Sequence, residues 1–392
     1  MTAPPIPLVD LGRQHRRLLP ELREAFERVA LSGRLVLGPE VDALERELEA
    51  TLGAPHAVAL SSGSDALVVA LTVAGVRAGD TVLTGASGFV ATPEAILRVG
   101  ARPRFIDVDP ATQNLDPAAL EATLGSRGEP APSAVLVTHL FGRPAELDRI
   151  LALTEPRGLA LVEDGAQALG ARPGGATLGA RSSGATVSFF PAKLLGALGD
   201  GGLYLTGDPS QAGRARRLRQ HGLLDAGVHG EVGGNYRLDA LQAAMLRVKL
   251  RHLPEVLAAR RRVAERYLRE LAGVGLGLPE LPEGAVASSF VVRVGEGLRD
   301  GVRARLAAAG VETAVYYPRP LPEQPAFAAF AAGAPFPGAE RASREALALP
   351  LFPEITLEEQ DRVVDALRSA LREAAAISAP EGTGSGVTPP GS

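Results

Sequence analysis

The chain has 392 residues, 46% of them hydrophobic and 22% charged, and a net charge of −4. This describes an ordinary globular protein of about two domains and argues against a nucleic-acid partner held by bulk charge. The absence of cysteine excludes disulfides, thiolate catalysis and Cys-ligated metals.

Residues 1–11 hold three prolines and an early Asp10 but no basic region, which is not a signal-peptide pattern. No stretch approaches about 18 uninterrupted apolar residues, so no membrane span is expected, and the expected location is cytoplasmic. Leu22, Phe26 and Val29 mark a helix that stops near Gly33. Pro39 opens a second, with Val41, Leu44, Leu48 and Leu52 on one face and Gly53 as its stop. Short apolar runs then recur between helical stretches, at residues 57–60, 81–83, 104–108, 134–138, 159–162, 186–189 and 202–205. Runs of this length suit strands buried on both faces of a parallel sheet. Their alternation with helices predicts one large, doubly wound, mostly parallel α/β domain over residues 1–250. The basic runs 214–219 and 260–262 alternate with apolar residues and read as solvated helix faces.

After residue 250 the texture changes to a long helix over 253–271, a strand over 290–294 and a helix over 298–309 that ends at Gly310. Thr356-Leu357-Glu358-Glu359 is a capping box that opens a last helix with Val363, Leu367 and Leu371 inward. Residues 251–377 are expected to form a smaller α+β domain. Residues 378–392, rich in Ser, Gly, Pro and Thr, are expected to be a disordered tail.

All but two of the 41 Lys and Arg residues are arginine; the exceptions are Lys193 and Lys249. An amine, unlike a guanidinium, loses its proton when desolvated and can attack a carbonyl. Lys193 sits in the apolar, Gly-rich run Ser188-Phe189-Phe190-Pro191-Ala192-Lys193-Leu194-Leu195-Gly196, followed by Gly199-Asp200-Gly201-Gly202. It reads either as a reactive amine or as a surface lysine. Lys249, between Arg247 and Arg251, reads as one cation among several on a helix.

Three further segments carry candidate chemistry. Ser61-Ser62-Gly63-Ser64-Asp65 follows a strand and opens a helix. The N–H groups of Gly63, Ser64 and Asp65 with the Ser64 hydroxyl would hold an anion; a plain serine cap is the alternative. Glu163-Asp164-Gly165-Ala166-Gln167 ends a strand at the carboxyl edge, where open α/β sheets bind ligands. A carboxylate there would pair with a cationic ring nitrogen or simply cap the next turn. Gly233-Gly234-Asn235-Tyr236-Arg237 lets backbone approach a ligand, or is a loop. Asp107 and Asp109 resemble a metal or sugar-nucleotide pair, but the adjacent Asp116-Pro117 looks like a helix cap. The six histidines show no ligand spacing, and His139 reads better as buried and structural than as a cleft residue. An amine, a strand-end carboxylate and a phosphate-type site together match what pyridoxal phosphate needs.

In order and spacing these segments are similar to the DegT/DnrJ/EryC1/StrS family of sugar aminotransferases, a branch of the fold-type I pyridoxal phosphate enzymes. The resemblance spans about residues 6–374 and includes Leu37-Gly38-Pro39, Phe89-Val90-Ala91-Thr92, His139-Leu140-Phe141-Gly142 and Tyr317-Pro318. It implies that Lys193 is the Schiff-base lysine and Asp164 the partner of the pyridine nitrogen. It places Gln167 near the phenolic oxygen, Phe89 on the ring face, and Gly63, Ser64 and Ser188 at the phosphate. Asn235 would reach the phosphate of a neighbouring subunit, and Tyr236 and Tyr316 would border the sugar. The family implies a homodimer with shared sites that moves an amino group, commonly from glutamate, to a keto-sugar linked to a nucleoside diphosphate. The segment at 233–239 favours C3 over C4 amination. A keto-cyclitol acceptor and a non-catalytic, cofactor-binding regulatory protein are the alternatives. Gly85, Gly88, Ser289, Tyr316 and Pro322 depart from the family's usual residues, mostly toward the substrate side.

Overall fold

The computed structural model describes residues 4–126, 130–295, 297–331 and 333–378. The seven apolar runs form the strands β1 (His56–Leu60), β2 (Thr81–Gly85), β3 (Arg102–Ile106), β4 (Ala134–Thr138), β5 (Ala160–Asp164), β6 (Ala185–Ser188) and β7 (Gly202–Thr206). They make one sheet in the order β1-β7-β6-β5-β4-β2-β3. All neighbours pair parallel except at β7, which runs antiparallel to both β1 and β6. The first strand's exit, the sixth strand's end and the seventh strand's start therefore meet at one edge, where Gly202 pairs with both Leu60 and Ser188. A side chain at Gly202 would stand 2.1 Å from the Ser62 carbonyl oxygen, so only glycine lets the chain leaving β1 cross there.

The helices are α1 (Leu11–Ser32), α2 (Pro39–Leu52), α3 (Gly63–Val73), α4 (Ala91–Arg98), α5 (Pro117–Gly125), α6 (Leu147–Thr154), α7 (Pro209–Leu218), α8 (Ala240–Leu250), α9 (Leu253–Glu270), α10 (Arg299–Ala308), α11 (Pro337–Glu345) and α12 (Leu357–Ser378). On one face of the sheet, α2 and α8 bury Val41, Leu44, Leu48, Leu246 and Leu250 against Ala57, Leu203 and Leu205. On the other, α3, α4 and α7 pack Leu67, Val69, Ile96 and Ala215 against Val58, Val82 and Val162. Both faces are covered, which is why the strands carry no polar alternation. Gly33 and Gly53 end α1 and α2 in the left-handed region, as their positions predict.

A hairpin, β8 (Leu223–Asp225) and β9 (Val228–His229), projects after α7. The second core gathers α9, α10 and α12 around an antiparallel pair, β10 (Phe290–Arg293) and β11 (Ala346–Leu349). Ile6 joins this core, donating to the Gly310 carbonyl at 2.8 Å and accepting from the Glu312 N–H at 2.9 Å. The expected capping box closes, with Glu359 accepting from the Thr356 N–H at 2.8 Å and the Thr356 hydroxyl accepting from the Glu359 N–H at 3.1 Å. The tail expected from residue 378 lies, beyond Ser378, outside the described residues.

Two expectations are corrected. Phe26 is not on the inward face of α1: it is 55% exposed, because α1 meets α8 through Leu18, Leu22, Ala25 and Val29. The basic runs are not uniformly solvated. Arg219 is buried against Glu45, with its Nη1 2.5 Å from Oε1, and Arg260 is buried beneath the second core. The metal or sugar-nucleotide reading of Asp107 and Asp109 is already the weaker one in the sequence; Asp107 accepts from the Gly338 and Ala339 N–H groups at 2.9 and 3.0 Å, and Asp109 from those of Ala111 and Thr112. No cluster of metal-ligating side chains occurs among the described residues.

Candidate active site

A cavity of about 550 Å³ opens at the edge where β1, β5 and β6 end. The turn after β1 supplies Ser62, Gly63 and Ser64, the end of β5 supplies Asp164 and Gln167, and the loop after β6 supplies Ser188 and Lys193. Phe89 borders it from the loop before α4, and Ser289, Tyr316 and Tyr317 border it from the second core.

Ser62 is the cap of α3, its hydroxyl accepting from the Asp65 N–H at 3.0 Å. The serine-cap reading of this turn is realised, at Ser62. The Asp65 N–H, counted among the anion donors from sequence, is spent on the cap, and the Asp65 carboxylate is held by the Ser61 hydroxyl and Arg98. The Gly63 and Ser64 N–H groups remain, with no acceptor among the described residues. Gly63 lies so close to β6 that a Cβ there would stand 2.8 Å from that of Ser188. Two helix-end N–H groups and the Ser64 and Ser188 hydroxyls therefore line the same end of the cavity. That set fits a phosphate.

Asp164 is buried, and both its carboxylate oxygens are occupied. The Thr92 hydroxyl donates to Oδ2 at 3.0 Å and the Ala166 N–H to Oδ1 at 3.0 Å. Burial lowers the pKa of the Lys193 amine, and the Asp164 carboxylate offsets part of that shift. An amine so placed carries a larger neutral fraction than a free lysine at the same pH. An amine, a fixed carboxylate and a phosphate-type end fit pyridoxal phosphate.

The preceding acid has a different fate, because successive strand residues face opposite sides. Glu163 is fully buried, accepting from the Gly179 N–H at 3.0 Å and the Ser182 hydroxyl at 2.5 Å. His139 Nε2 lies 2.8 Å from the Glu163 carboxylate, while its Nδ1 accepts from the Ala145 N–H at 3.0 Å. This pattern assigns the proton to Nε2. Burial would raise the Glu163 pKa, but these donors outweigh it and hold it low. His139 is thus structural, as expected.

Gln167 is fixed at both ends of its amide, accepting from the Phe141 N–H at 2.8 Å and donating to the Tyr317 hydroxyl at 2.8 Å. Phe141 sits in the left-handed region (φ 58°) and stacks on Tyr317 with ring centroids 6.0 Å apart. Tyr316, 41% exposed, completes an aromatic wall. Burial raises the Tyr317 pKa, keeping its hydroxyl protonated. The buried Arg260 donates to the Ser288 carbonyl at 3.0 Å and the Leu351 carbonyl at 3.2 Å, tying two lining segments together. Thr92, Phe141, Tyr317 and Arg260 were given no role from sequence. Each acts through a contact 26 or more residues away, and no local pattern marks such a contact.

Asn235, expected at the phosphate of a neighbouring subunit, is exposed and does not line its own chain's cavity. One residue expected at the site is elsewhere. Tyr236 packs against the α3 core while its carbonyl accepts from the Ser61 N–H at 2.9 Å, so its ring does not border the cavity. The reading of Lys249 is corrected as well. Far from being a surface cation, it is 4% exposed, because α8 is buried on nearly every side.

The fold and the amine–carboxylate pair define a pyridoxal phosphate enzyme of the aminotransferase class. Residues 18–368 match the model of the DegT/DnrJ/EryC1/StrS aminotransferase family, and the chain belongs to that family. It is 42% identical to the erythromycin biosynthesis sensory transduction protein EryC1 of Saccharopolyspora erythraea, over 93% of this chain and 99% of that one. It is 38% identical to a UDP-N-acetyl-3-dehydro-α-D-glucosamine 3-aminotransferase of Acidithiobacillus ferrooxidans, over 93% and 98%. The crystal structure of NtdA from Bacillus subtilis with bound cofactor PMP superposes with a TM-score of 0.88 at 29% identity, covering 95% of this chain and 86% of that one. No helix among the described residues is long and apolar enough to cross a membrane.

Proposed function

We propose that this chain is a pyridoxal phosphate-dependent aminotransferase that moves an amino group from glutamate to a keto-sugar linked to a nucleoside diphosphate, at C3. The observation that carries the reading is the pair formed by the desolvated Lys193 amine and the doubly held Asp164 carboxylate in one cavity. When bound, the cofactor supplies an aldehyde that condenses with amines and a cationic ring that draws electrons from the carbon beside that nitrogen. Asp164 keeps the ring nitrogen protonated. Gly63, Ser64 and Ser188 hold the phosphate. Gln167 faces the phenolic oxygen, and Phe89 covers the ring. The Lys193 amine, neutral in part, anchors the aldehyde and carries a proton to and from the substrate carbon. Ser289 and Tyr316 border the sugar.

The site is completed in this reading by a second copy of the chain, whose Asn235 reaches the phosphate. Asn235 follows the β8–β9 hairpin, which exposes Leu224 and Val228, and Val232 just after it is exposed too, while α1 exposes Leu19 and Phe26. Such apolar side chains suit an interface between copies. The C3 assignment draws on the segment at 233–239 and on the relative named as a 3-aminotransferase of a 3-dehydro sugar.

Purified protein should take up pyridoxal phosphate with a visible absorbance band that Lys193→Ala abolishes. Glutamate should bleach that band, and nucleotide-linked 3-keto-sugars should restore it faster than 4-keto-sugars or keto-cyclitols. A wild type that takes up no cofactor ends the proposal. Uptake without bleaching by any amino donor would instead favour a regulatory protein.

A further inference from the structure

The two lysines left in an arginine-rich chain converge on one loop. Lys193 projects from it, and Lys249 reaches it from α8. The Lys249 ammonium donates to the Gly196 carbonyl at 2.6 Å and lies 3.3 Å from His15 Nε2 on α1. Gly196 follows Lys193 by three residues where the loop folds back on itself; a Cβ at Gly196 would stand 2.1 Å from the Pro191 carbonyl oxygen. The Lys193 N–H bonds the Phe190 carbonyl at 2.9 Å and the Ala197 N–H the Phe189 carbonyl at 2.7 Å, closing the fold-back. From the same helix, Gln242 accepts the Leu198 N–H at 2.9 Å. So α8 clasps the loop at two points, and the charged clasp is the nearer to Lys193 in sequence.

A guanidinium would not serve here. The two acceptors, a carbonyl and an imidazole nitrogen, converge on one point, which suits a compact tetrahedral ammonium rather than a planar fork. Burial lowers the Lys249 amine to about 8, against the opposing pull of Glu354, and His15 is lowered by burial and then by the Lys249 charge. Around Lys193 itself stand Asp164 from β5, with Asp10, Arg260 and Glu354 around a small void behind it.

We infer that Lys249 is a positioning residue, which by holding the Gly196 carbonyl sets where the Lys193 amine stands in the cavity and how far water reaches it. The inference rests on the proposed function for its consequence, but not for its test. Lys193 and Lys249 are the only side-chain amines in the chain, so amine-selective acylation of the cofactor-free protein, mapped by peptide mass, reads each separately across pH. In the wild type Lys193 labels with a midpoint below that of an ordinary lysine. Lys249→Met has a similar volume and no donor. It raises both the high-pH plateau rate of Lys193 labelling and its midpoint, the latter by about one pH unit, and pyridoxal phosphate half-saturation rises about tenfold. His15→Ala, which removes no charge, raises the plateau more weakly. A folded Lys249→Met whose Lys193 profile superimposes on the wild type overturns the inference. So does a shifted midpoint with an unchanged plateau, which is what the lost charge alone produces. If Lys249→Met does not fold, the His15→Ala plateau decides in the same way. A wild type that takes up no pyridoxal phosphate defeats the proposed function, while the labelling profile still decides this inference.

Discussion

Thr92, at the start of α4, donates its hydroxyl to Asp164 Oδ2 at 3.0 Å across the cavity floor. Both side chains are buried, so the carboxylate that faces Lys193 has lost its hydration and depends on protein donors. Thr92→Val keeps the shape and removes the donor. We expect about a tenfold loss of turnover, with Thr92→Ser close to the wild type, because a hydrogen bond to a buried charge contributes about 1.5–3 kcal/mol. Steady-state kinetics of the three proteins checks this; equal turnover in Thr92→Val would remove Thr92 from the site's design.

Gly63 is where α3 comes closest to β6. Gly63→Ala places a methyl group 2.8 Å from the Ser188 Cβ and 3.2 Å from its Cα, so the two segments must shift apart. The separation of the two phosphate-facing segments should widen. Pyridoxal phosphate half-saturation should rise about tenfold, a loss of about 1.4 kcal/mol, while the melting temperature changes little. Titration of the absorbance band measures it, and unchanged affinity would place the phosphate elsewhere.

Lys249 makes stability depend on pH in a definite direction. Its amine titrates near 10.5 when free and at about 8 in the folded chain. Below pH 8 both states hold the proton, and the folded state carries the full cost of the buried charge. Between pH 8 and 10.5 the unfolded chain binds the extra proton, so stability rises with pH, by up to about 3 kcal/mol. Urea unfolding of the wild type and Lys249→Met from pH 7.5 to 10 should give diverging curves; parallel curves would mean that Lys249 is solvated.

Glu359 has the opposite dependence. The Arg13 guanidinium holds it by two hydrogen bonds, of 2.6 and 2.8 Å, and with the Thr356 N–H lowers its pKa to about 2. Its contribution is present in full above about 4.5 and is lost as pH falls toward 2. Glu359→Gln should cost about 1–3 kcal/mol at pH 7 and almost nothing near pH 2. Acid unfolding of both proteins reads the difference, and an equal cost at both pH values would assign the effect to the helix cap alone.

Much of the frame was legible because it is local. The seven strands fell within about two residues of the apolar runs, since strands buried on both faces need uninterrupted apolar sequence. Helix ends at Gly33 and Gly53 and the capping box at Thr356 follow from backbone conformations that few residues adopt. The hairpin at residues 223–229, α11 and β11 went unremarked. They are short, and no local signal in the sequence marks them.

Lys193 is marked by the arginine bias of the chain together with its apolar, Gly-rich run, which leave a reactive amine or a surface lysine as the two readings. The same bias marked Lys249, yet its charged neighbours Arg247 and Arg251 suggested a solvated face. The signal that it was buried was present, one helical turn after Met245 and beside Val248, on a helix that proved to have almost no outer side. Whether Glu163 or Asp164 faces the cavity, whether Tyr236 turns toward it or toward the α3 core, and that Thr92 meets Asp164 were settled only by the assembled sheet. Sequence determines which residues can perform chemistry and which segments form strands, because those depend on side-chain type and local backbone preference. Which atoms meet, and which charges lose their water, depends on contacts between segments far apart in the chain, and only the tertiary structure decides them.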